Sequence, residues 1–299
     1  MIDGHKPQWL RIRPPVYPEN FKKIKETLEK YNLHTVCEEA HCPNISECWS
    51  GGTATFMILG DKCTRGCKFC AVESGWPSKQ IDKYEPLKLA LAIKEWNLDY
   101  VVITSVDRDD LEDQGSEHFA NCIREVRKQI PNVIIEILIP DFRGDIECIK
   151  KVVDAKSEVI AHNIETVKRL QSVVRDRRAN YEQSLFVLKS IKELDPNIFT
   201  KSSIIVGFGE TEEEVIETMR DLRNIGVDFL TIGQYLRPSS WHIQVSEYVS
   251  PGKFEFYKKR GEELGFKYVA AGPFVRSSYR AGELFIKSVI KNNGVIVNG

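Results

Sequence analysis

Six short, nearly unbroken apolar runs recur along this chain, and each is followed by a longer stretch with helical periodicity or helix-starting residues. They are "ATFMILG" from Ala54, "DYVVITSV" from Asp99, "NVIIEILIP" from Asn132, "SEVIAHNIE" from Ser157, "FTKSSIIVGF" from Phe199 and "VDFLTIGQYL" from Val227. A strand with one wet face alternates polar and apolar residues, whereas a continuous apolar strand must be covered on both faces. Helical crossovers between parallel strands provide that cover. The pattern calls for an α/β fold with a mostly parallel sheet, either doubly wound or a whole or partial TIM-type barrel. Polar residues gather just past the C-terminal ends of the runs, at 104–110, 141–143, 162–165 and 207–210. Both architectures place their ligands there. Outside the runs, a proline-punctuated start is followed by a helix over residues 20–31. After residue 251 come a helix, a short strand at "KYVAAG" and a final helix over 277–292.

Six of the eight cysteines fall between Cys37 and Cys70, as two triplets. A chain of 299 residues can bury a sufficient core without disulfide staples. No apolar run approaches the roughly 20 residues that span a bilayer, and the start "MIDGHKPQWLRIRPP" has no signal-peptide segment. A cytoplasmic location is expected, where thiols stay reduced and clustered cysteines point to metal or redox chemistry. With 42 basic against 43 acidic residues, nothing pulls the chain toward nucleic acid or a membrane surface. Cys122 and Cys148 sit at apolar positions of expected helices and read as buried, inert thiols.

The second triplet, "CTRGCKFC", spaces Cys63, Cys67 and Cys70 directly after the first run. Structural zinc closes with four ligands, and this loop supplies no fourth cysteine or histidine. A 4Fe-4S cluster held by three thiolates keeps one iron open to a small molecule, which makes it reactive. The first triplet, "CEEAHCPNISEC", gives Cys37, Cys42 and Cys48. His41 would have to turn sharply to join its neighbour Cys42 on one zinc ion, so a second iron–sulfur cluster is the better reading.

"CTRGCKFC" matches the C-x-x-x-C-x-aromatic-C signature of the radical S-adenosylmethionine superfamily. Nearly the full chain resembles the lipoyl synthase family within it. The resemblance rests on the first triplet's spacing, "TSVDRDDLEDQG", "HNIETV", "VGFGETEEEV", "TIGQYLRPS" and "GPFVRSSYRAGE", all in order. It implies a partial (β/α)6 TIM-type barrel over 53–250, an N-terminal extension (1–52) carrying the auxiliary-cluster cysteines, and a C-terminal extension (251–299) carrying the R-S-S-Y motif. It further implies two 4Fe-4S clusters. Cys63, Cys67 and Cys70 hold the one that takes S-adenosylmethionine. Cys37, Cys42 and Cys48 hold an auxiliary cluster completed by a serine oxygen, Ser277 or, by resemblance, Ser278. From the residues alone, either serine would equally serve as a helix cap. The implied reaction inserts two sulfur atoms at carbons 6 and 8 of a protein-bound octanoyl-lysine, with the auxiliary cluster as the sulfur source.

For S-adenosylmethionine the resemblance nominates Phe69 against the adenine, with Thr104, Ser105, Asn163, Glu165 and Lys201 as further contacts. Arg108 and Asp109 are expected to organise the active-site face, and Arg276 to support the ligand serine or the substrate amide. The segment at 211–215 also reads as an acidic helix start capped by Thr211. The implied partners are an octanoylated lipoyl carrier, either the glycine cleavage H protein or a 2-oxoacid dehydrogenase E2 domain, and a low-potential electron donor. The protein is expected to act as a monomer, on neither nucleic acid nor membrane. Two departures from the family pattern, "VRDRRANYEQSL" and "RPSSWHIQV", fall where a carrier would touch. Arg175, Arg177 and Arg178 would form a basic patch steering an acidic carrier. The competing readings are an RNA methylthiotransferase, an iron–sulfur electron carrier and a zinc-stabilised binding module.

Overall fold

The computed structural model describes residues 6–11, 18–50, 54–77, 80–278 and 290. Eight strands, β1 (His34–Thr35), β2 (Thr55–Ile58), β3 (Tyr100–Ser105), β4 (Ile134–Leu138), β5 (Val159–Ala161), β6 (Phe199–Val206), β7 (Phe229–Gln234) and β8 (Tyr268–Gly272), lie in chain order in one sheet. From β2 to β8 every pairing is parallel, while β1 pairs antiparallel with β2. The described strands leave β1 and β8 unjoined, so the sheet is an open, partial barrel. Among the described residues the α-helices bounded at both ends are α1 (Pro18–Tyr31), α2 (Val36–Glu39), α3 (Ile45–Ser50), α4 (Glu85–Trp96), α5 (Ser116–Gln129), α6 (Ile146–Asp154), α7 (Gln171–Val174), α8 (Tyr181–Leu194), α9 (Glu212–Asn224) and α10 (Pro251–Glu263).

All six apolar runs form strands, and their burial on both faces matches the covered parallel sheet that continuous hydrophobicity calls for. The structure adds a seventh parallel strand. Expected as part of an extension, β8 pairs along β7 from Phe229–Tyr268 to Gly233–Gly272. The helix before it is well specified locally: the Ser250 hydroxyl accepts from the Lys253 amide, and Pro251 occupies the first turn. Gly261 lets α10 lie close on the strand, since a Cβ there would meet Val269 Cγ2 at 2.6 Å. The (β/α) order therefore continues past residue 250. The final helix expected over 277–292 lies outside the described residues, apart from Ser277, Ser278 and Ile290.

Successive side chains on a strand alternate faces, so the barrel interior is built in layers two residues apart. The first residues of the strands, Tyr100, Ile134, Val159, Phe199 and Phe229, plug the N-terminal end together with Ile290. One layer up, Lys201 on β6 donates to Glu136 on β4 at 2.7 Å, and the Tyr100 hydroxyl donates to the same carboxylate. Another layer on, at the C-terminal ends, Thr104, Leu138 and Ser203 reach an open cavity.

Candidate active site at the C-terminal mouth of the barrel

That cavity, about 550 Å³, is lined by Cys37, Cys42 and Cys48 from the first triplet, Cys63, Cys67 and Cys70 from the second, and Ser277 and Ser278 from the C-terminal segment. Phe69, Thr104, Ser105, Asn163 and Glu165 line it as well. Residues separated by more than two hundred positions thus meet at one mouth, in a volume typical of small-molecule sites.

The first triplet is carried on two short helices. Thr35 caps α2 by accepting the Glu38 amide at 3.3 Å, which sets Cys37 in the first turn. His41 takes a left-handed φ of 47° and turns the chain, and the Cys42 amide returns to the Cys37 carbonyl at 3.0 Å. Cys48 lies on α3. Asn44, between the helices, donates to the Phe274 carbonyl at 2.6 Å and ties this triplet to the segment bearing Ser277 and Ser278. That segment rests on β7, where Gly233 permits the approach: a Cβ at that position would run into the Val275 carbonyl.

The second triplet's loop is clamped from three sides. The Arg65 guanidinium, inside the motif and almost wholly buried, forks across two carboxylates. It donates to Asp141 at 2.6 and 2.7 Å and to Asp109 at 2.9 and 3.1 Å. Burial works against its charge, but Asp141, Asp107 and Asp109 together hold its pKa above the usual value. The same burial opposes ionisation of Asp109, yet Arg65 and Arg143 keep it down at about 2. From a second side the Asp176 amide donates to Cys67 Sγ at 3.3 Å, and the Asp176 carboxylate takes the Gly66 amide at 2.9 Å. From the third side comes the 237–243 loop.

Sequence reasoning expected Lys201 at S-adenosylmethionine; the structure places it elsewhere. Its side chain points into the barrel one layer below the cavity, paired with Glu136, and the β6 residues that line the mouth are Ser203 and Ile205. Arg175 is likewise corrected. Rather than forming a surface patch with Arg177 and Arg178, it is buried, lines the cavity and donates to Ser184 at 2.8 Å and Gln171 at 3.1 Å. Arg178 is occupied by Asp176 and by the Thr64 carbonyl, which leaves Arg177 as the exposed member of the three. Arg108 pairs with Asp110 and the Leu59 carbonyl. Thr211 forms a full capping box with Glu214, and Cys122 and Cys148 are buried in α5 and α6. Sequence reasoning assigned no role of their own to Arg65, Asp141, Asp176 and His162, although Asp141 and His162 stand in the strand-end polar clusters at 141–143 and 162–165. Two of them, Arg65 and Asp176, carried a readable signal: a charged residue inside or beside a ligand loop.

Residues 57–222 match the radical SAM superfamily, and residues 3–42 match the N-terminal domain of lipoyl synthase of the radical SAM family. The lipoyl synthase of Anaeromyxobacter dehalogenans is 55% identical over 291 residues, covering 97% of this chain and 98% of the relative. The apicoplast lipoyl synthase of Plasmodium falciparum is 54% identical over 290 residues, covering 97% and 70%.

The chain belongs to the lipoyl synthase family.

It is a radical SAM enzyme, with the iron–sulfur clusters and S-adenosylmethionine of lipoyl synthases as its cofactors. Among solved structures, the hydrogenase maturase HydG of Carboxydothermus hydrogenoformans aligns at a TM-score of 0.54 with 14% identity, over 91% of this chain and 79% of that one. Methylornithine synthase aligns at 0.54 with 13% identity, over 94% and 89%. These two share the fold. No described helix is long and apolar enough to cross a membrane.

The residues at the mouth suit these cofactors. All eight cysteines are free thiols, and the two that do not line the cavity sit in outer helices. Burial pushes Cys37 and Cys70 up to about 11 and Cys67 up to about 12, and Cys63 rises too, with Asp107 adding to the effect. A cluster takes these ligands as thiolates, so its iron would displace those protons on binding. At the barrel end, Ser105 Oγ and Asn163 Oδ1 are buried without a hydrogen-bond partner, and both line the cavity. Buried polar atoms left unpaired are costly, which suits them to a polar ligand.

Proposed function

We propose that this protein is a lipoyl synthase that converts an octanoyl-lysine on a lipoyl carrier into the lipoyl group, working as a monomer in a reducing compartment such as the cytoplasm. One observation carries the reading: both cysteine triplets and the two candidate ligand serines open into a single cavity at the barrel mouth. A carbon radical must reach its sulfur source before it reaches anything else, so two clusters facing one small chamber are the arrangement this chemistry needs.

When bound, S-adenosylmethionine and the two 4Fe-4S clusters supply the hydrogen-abstracting radical and the sulfur atoms that enter at carbons 6 and 8. The chain supplies position. Cys63, Cys67 and Cys70 hold the radical cluster, and Cys37, Cys42 and Cys48 hold the auxiliary cluster with Ser278 as its oxygen ligand. An alkoxide is harder and more readily protonated than a thiolate, which fits a cluster that is consumed. Phe69, set edge-on to Phe208 with ring centroids 6.5 Å apart, offers its face to the adenine. Ser105 and Asn163 offer their unpaired oxygens to the polar groups of S-adenosylmethionine. Thr104 contributes less, because its hydroxyl already donates to the Leu138 carbonyl at 3.1 Å. Glu165 is partly buried, and desolvation raises its pKa, so a cationic amino group beside it would restore its charge. His162 is held neutral by the same effect, with its pKa lowered to about 4. Its Nδ1–H donates to the Ile139 carbonyl, and Nε2 accepts from Ser184. It shapes the wall without exchanging protons. The octanoyl chain would enter the cavity that both triplets line, with a low-potential donor supplying electrons from outside.

The test is anaerobic cluster reconstitution followed by a single turnover with an octanoyl-lysine peptide, S-adenosylmethionine and reductant, read by mass spectrometry. A lipoyl peptide is expected. Formation of 5'-deoxyadenosine with the peptide left free of sulfur would keep the radical chemistry and reject this substrate.

A further inference from the structure

His242 is buried between the radical-cluster loop and the surface, and nothing in the reading above uses it. Its Nε2 lies 3.0 Å from the carbonyl oxygen of Cys70, and its Nδ1 lies 2.8 Å from Ser239 Oγ. A carbonyl only accepts, so Nε2 carries the proton and Nδ1 accepts from the serine hydroxyl. One residue on, the Ile243 amide donates to the Lys68 carbonyl at 3.1 Å. The loop that makes these two bonds is itself braced. Arg237 Nε donates to the His242 carbonyl at 2.8 Å, and the Tyr235 hydroxyl donates to the Ile243 carbonyl at 2.7 Å. The Tyr235 ring stacks near Phe208 with centroids 4.4 Å apart, and Phe208 meets Phe69. The exposed Trp241 ring covers the imidazole with centroids 4.2 Å apart.

We infer that His242 is a positioning residue for the radical cluster: through the Cys70 carbonyl it fixes the third thiolate and withdraws electron density from that side of the cluster. The inference rests on the assignment of the radical cluster to Cys63, Cys67 and Cys70. Hydrogen bonds around ligating cysteines and the orientation of the ligand-bearing backbone both tune cluster potential. Leu at this position would leave the Cys70 carbonyl without its donor. Gln places an amide N–H close to where Nε2 stands and restores it.

The experiment compares wild type, His242→Leu, His242→Gln and Ser239→Ala as fully reconstituted proteins. It reads the electron paramagnetic resonance spectrum of the reduced radical cluster with and without S-adenosylmethionine, and its midpoint potential. In His242→Leu the potential should move to a more negative value, the S-adenosylmethionine-induced spectral change should broaden, and the rate of 5'-deoxyadenosine formation should fall about three- to tenfold, the scale of one neutral hydrogen bond. His242→Gln should return all three toward wild type. Ser239→Ala keeps the ring but loosens it, so it should move the potential in the same direction by less, and it carries the test if the Leu variant does not assemble. An unchanged spectrum and potential in His242→Leu, a Gln variant as impaired as Leu, or no shift in Ser239→Ala with the Leu variant unassembled would each overturn the inference. If S-adenosylmethionine leaves the wild-type spectrum unchanged, the cluster assignment itself fails, and the inference with it.

Discussion

Replacing Asp109 by Asn removes the charge on which the cluster loop's clamp converges. The carboxylate accepts from Arg65 twice, from Arg143 Nε at 2.9 Å and from the Thr64 hydroxyl at 3.0 Å, and Arg178 stands 3.2 Å away. Its side chain is 2% exposed, so solvent screening is slight. These partners, set against the cost of burial, lower its pKa from the ordinary 3.8 to about 2. At 1.36 kcal/mol per pH unit, that difference amounts to about 2.5 kcal/mol of folded-state stability near neutral pH. The sign follows from the lowered value. The contribution is complete above about pH 4 and disappears as the folded carboxylate takes up its proton toward pH 2. Urea unfolding of the cluster-free protein checks this. With a urea slope of about 3 kcal/mol per M, the midpoint should fall by about 0.8 M in Asp109→Asn at neutral pH. The gap to wild type should close as pH drops from 4 to 2. A variant within about 0.5 kcal/mol of wild type, or a gap that stays constant across that window, would refute the reasoning.

Other variants separate the parts of the site. Cys67→Ala should abolish 5'-deoxyadenosine formation, whereas Cys42→Ala should keep it and lose the sulfur-bearing product, as chromatography and mass spectrometry would show. Gly233→Ala drives a methyl group into the Val275 carbonyl. It should lift the 275–278 segment off the mouth, so that Mössbauer spectra show loss of iron from the auxiliary cluster before the radical cluster. Lys201→Met strands the buried Glu136 carboxylate with Tyr100 as its remaining partner. It should cost about 3–5 kcal/mol in unfolding experiments. The S-adenosylmethionine-induced spectral change of the folded protein should be intact, and its loss would return Lys201 to the binding site.

The strands were legible because continuous apolar runs leave few other solutions, and the cysteine triplets because thiol spacing is chemically restrictive. What escaped depends on three-dimensional register. Lys201 sits on the correct face of β6 but two residues too early, and strand alternation cannot distinguish one interior layer from the next. Arg175 looked like part of a charged surface because its neighbours Arg177 and Arg178 are charged; its burial is set by Gln171 on α7 and Ser184 on α8, and no local pattern announces that. β8 was expected as a short strand in a C-terminal extension, and its pairing with β7 is a long-range event that "KYVAAG" alone does not announce. The Asn44–Phe274 bond, which brings the first triplet to the serine segment, links residues 230 positions apart. No spacing rule reaches that far.

Sulfur is expected to reach the substrate from the cluster that Cys37, Cys42 and Cys48 would hold. Reconstitution with isotopically heavy sulfide, removal of free sulfide and a single turnover with natural-abundance S-adenosylmethionine and octanoyl-lysine peptide tests it directly. A lipoyl peptide whose two sulfur atoms are both heavy is expected, and no such product from Cys42→Ala. Light sulfur in the product, or heavy sulfur that persists in that variant, would contradict it.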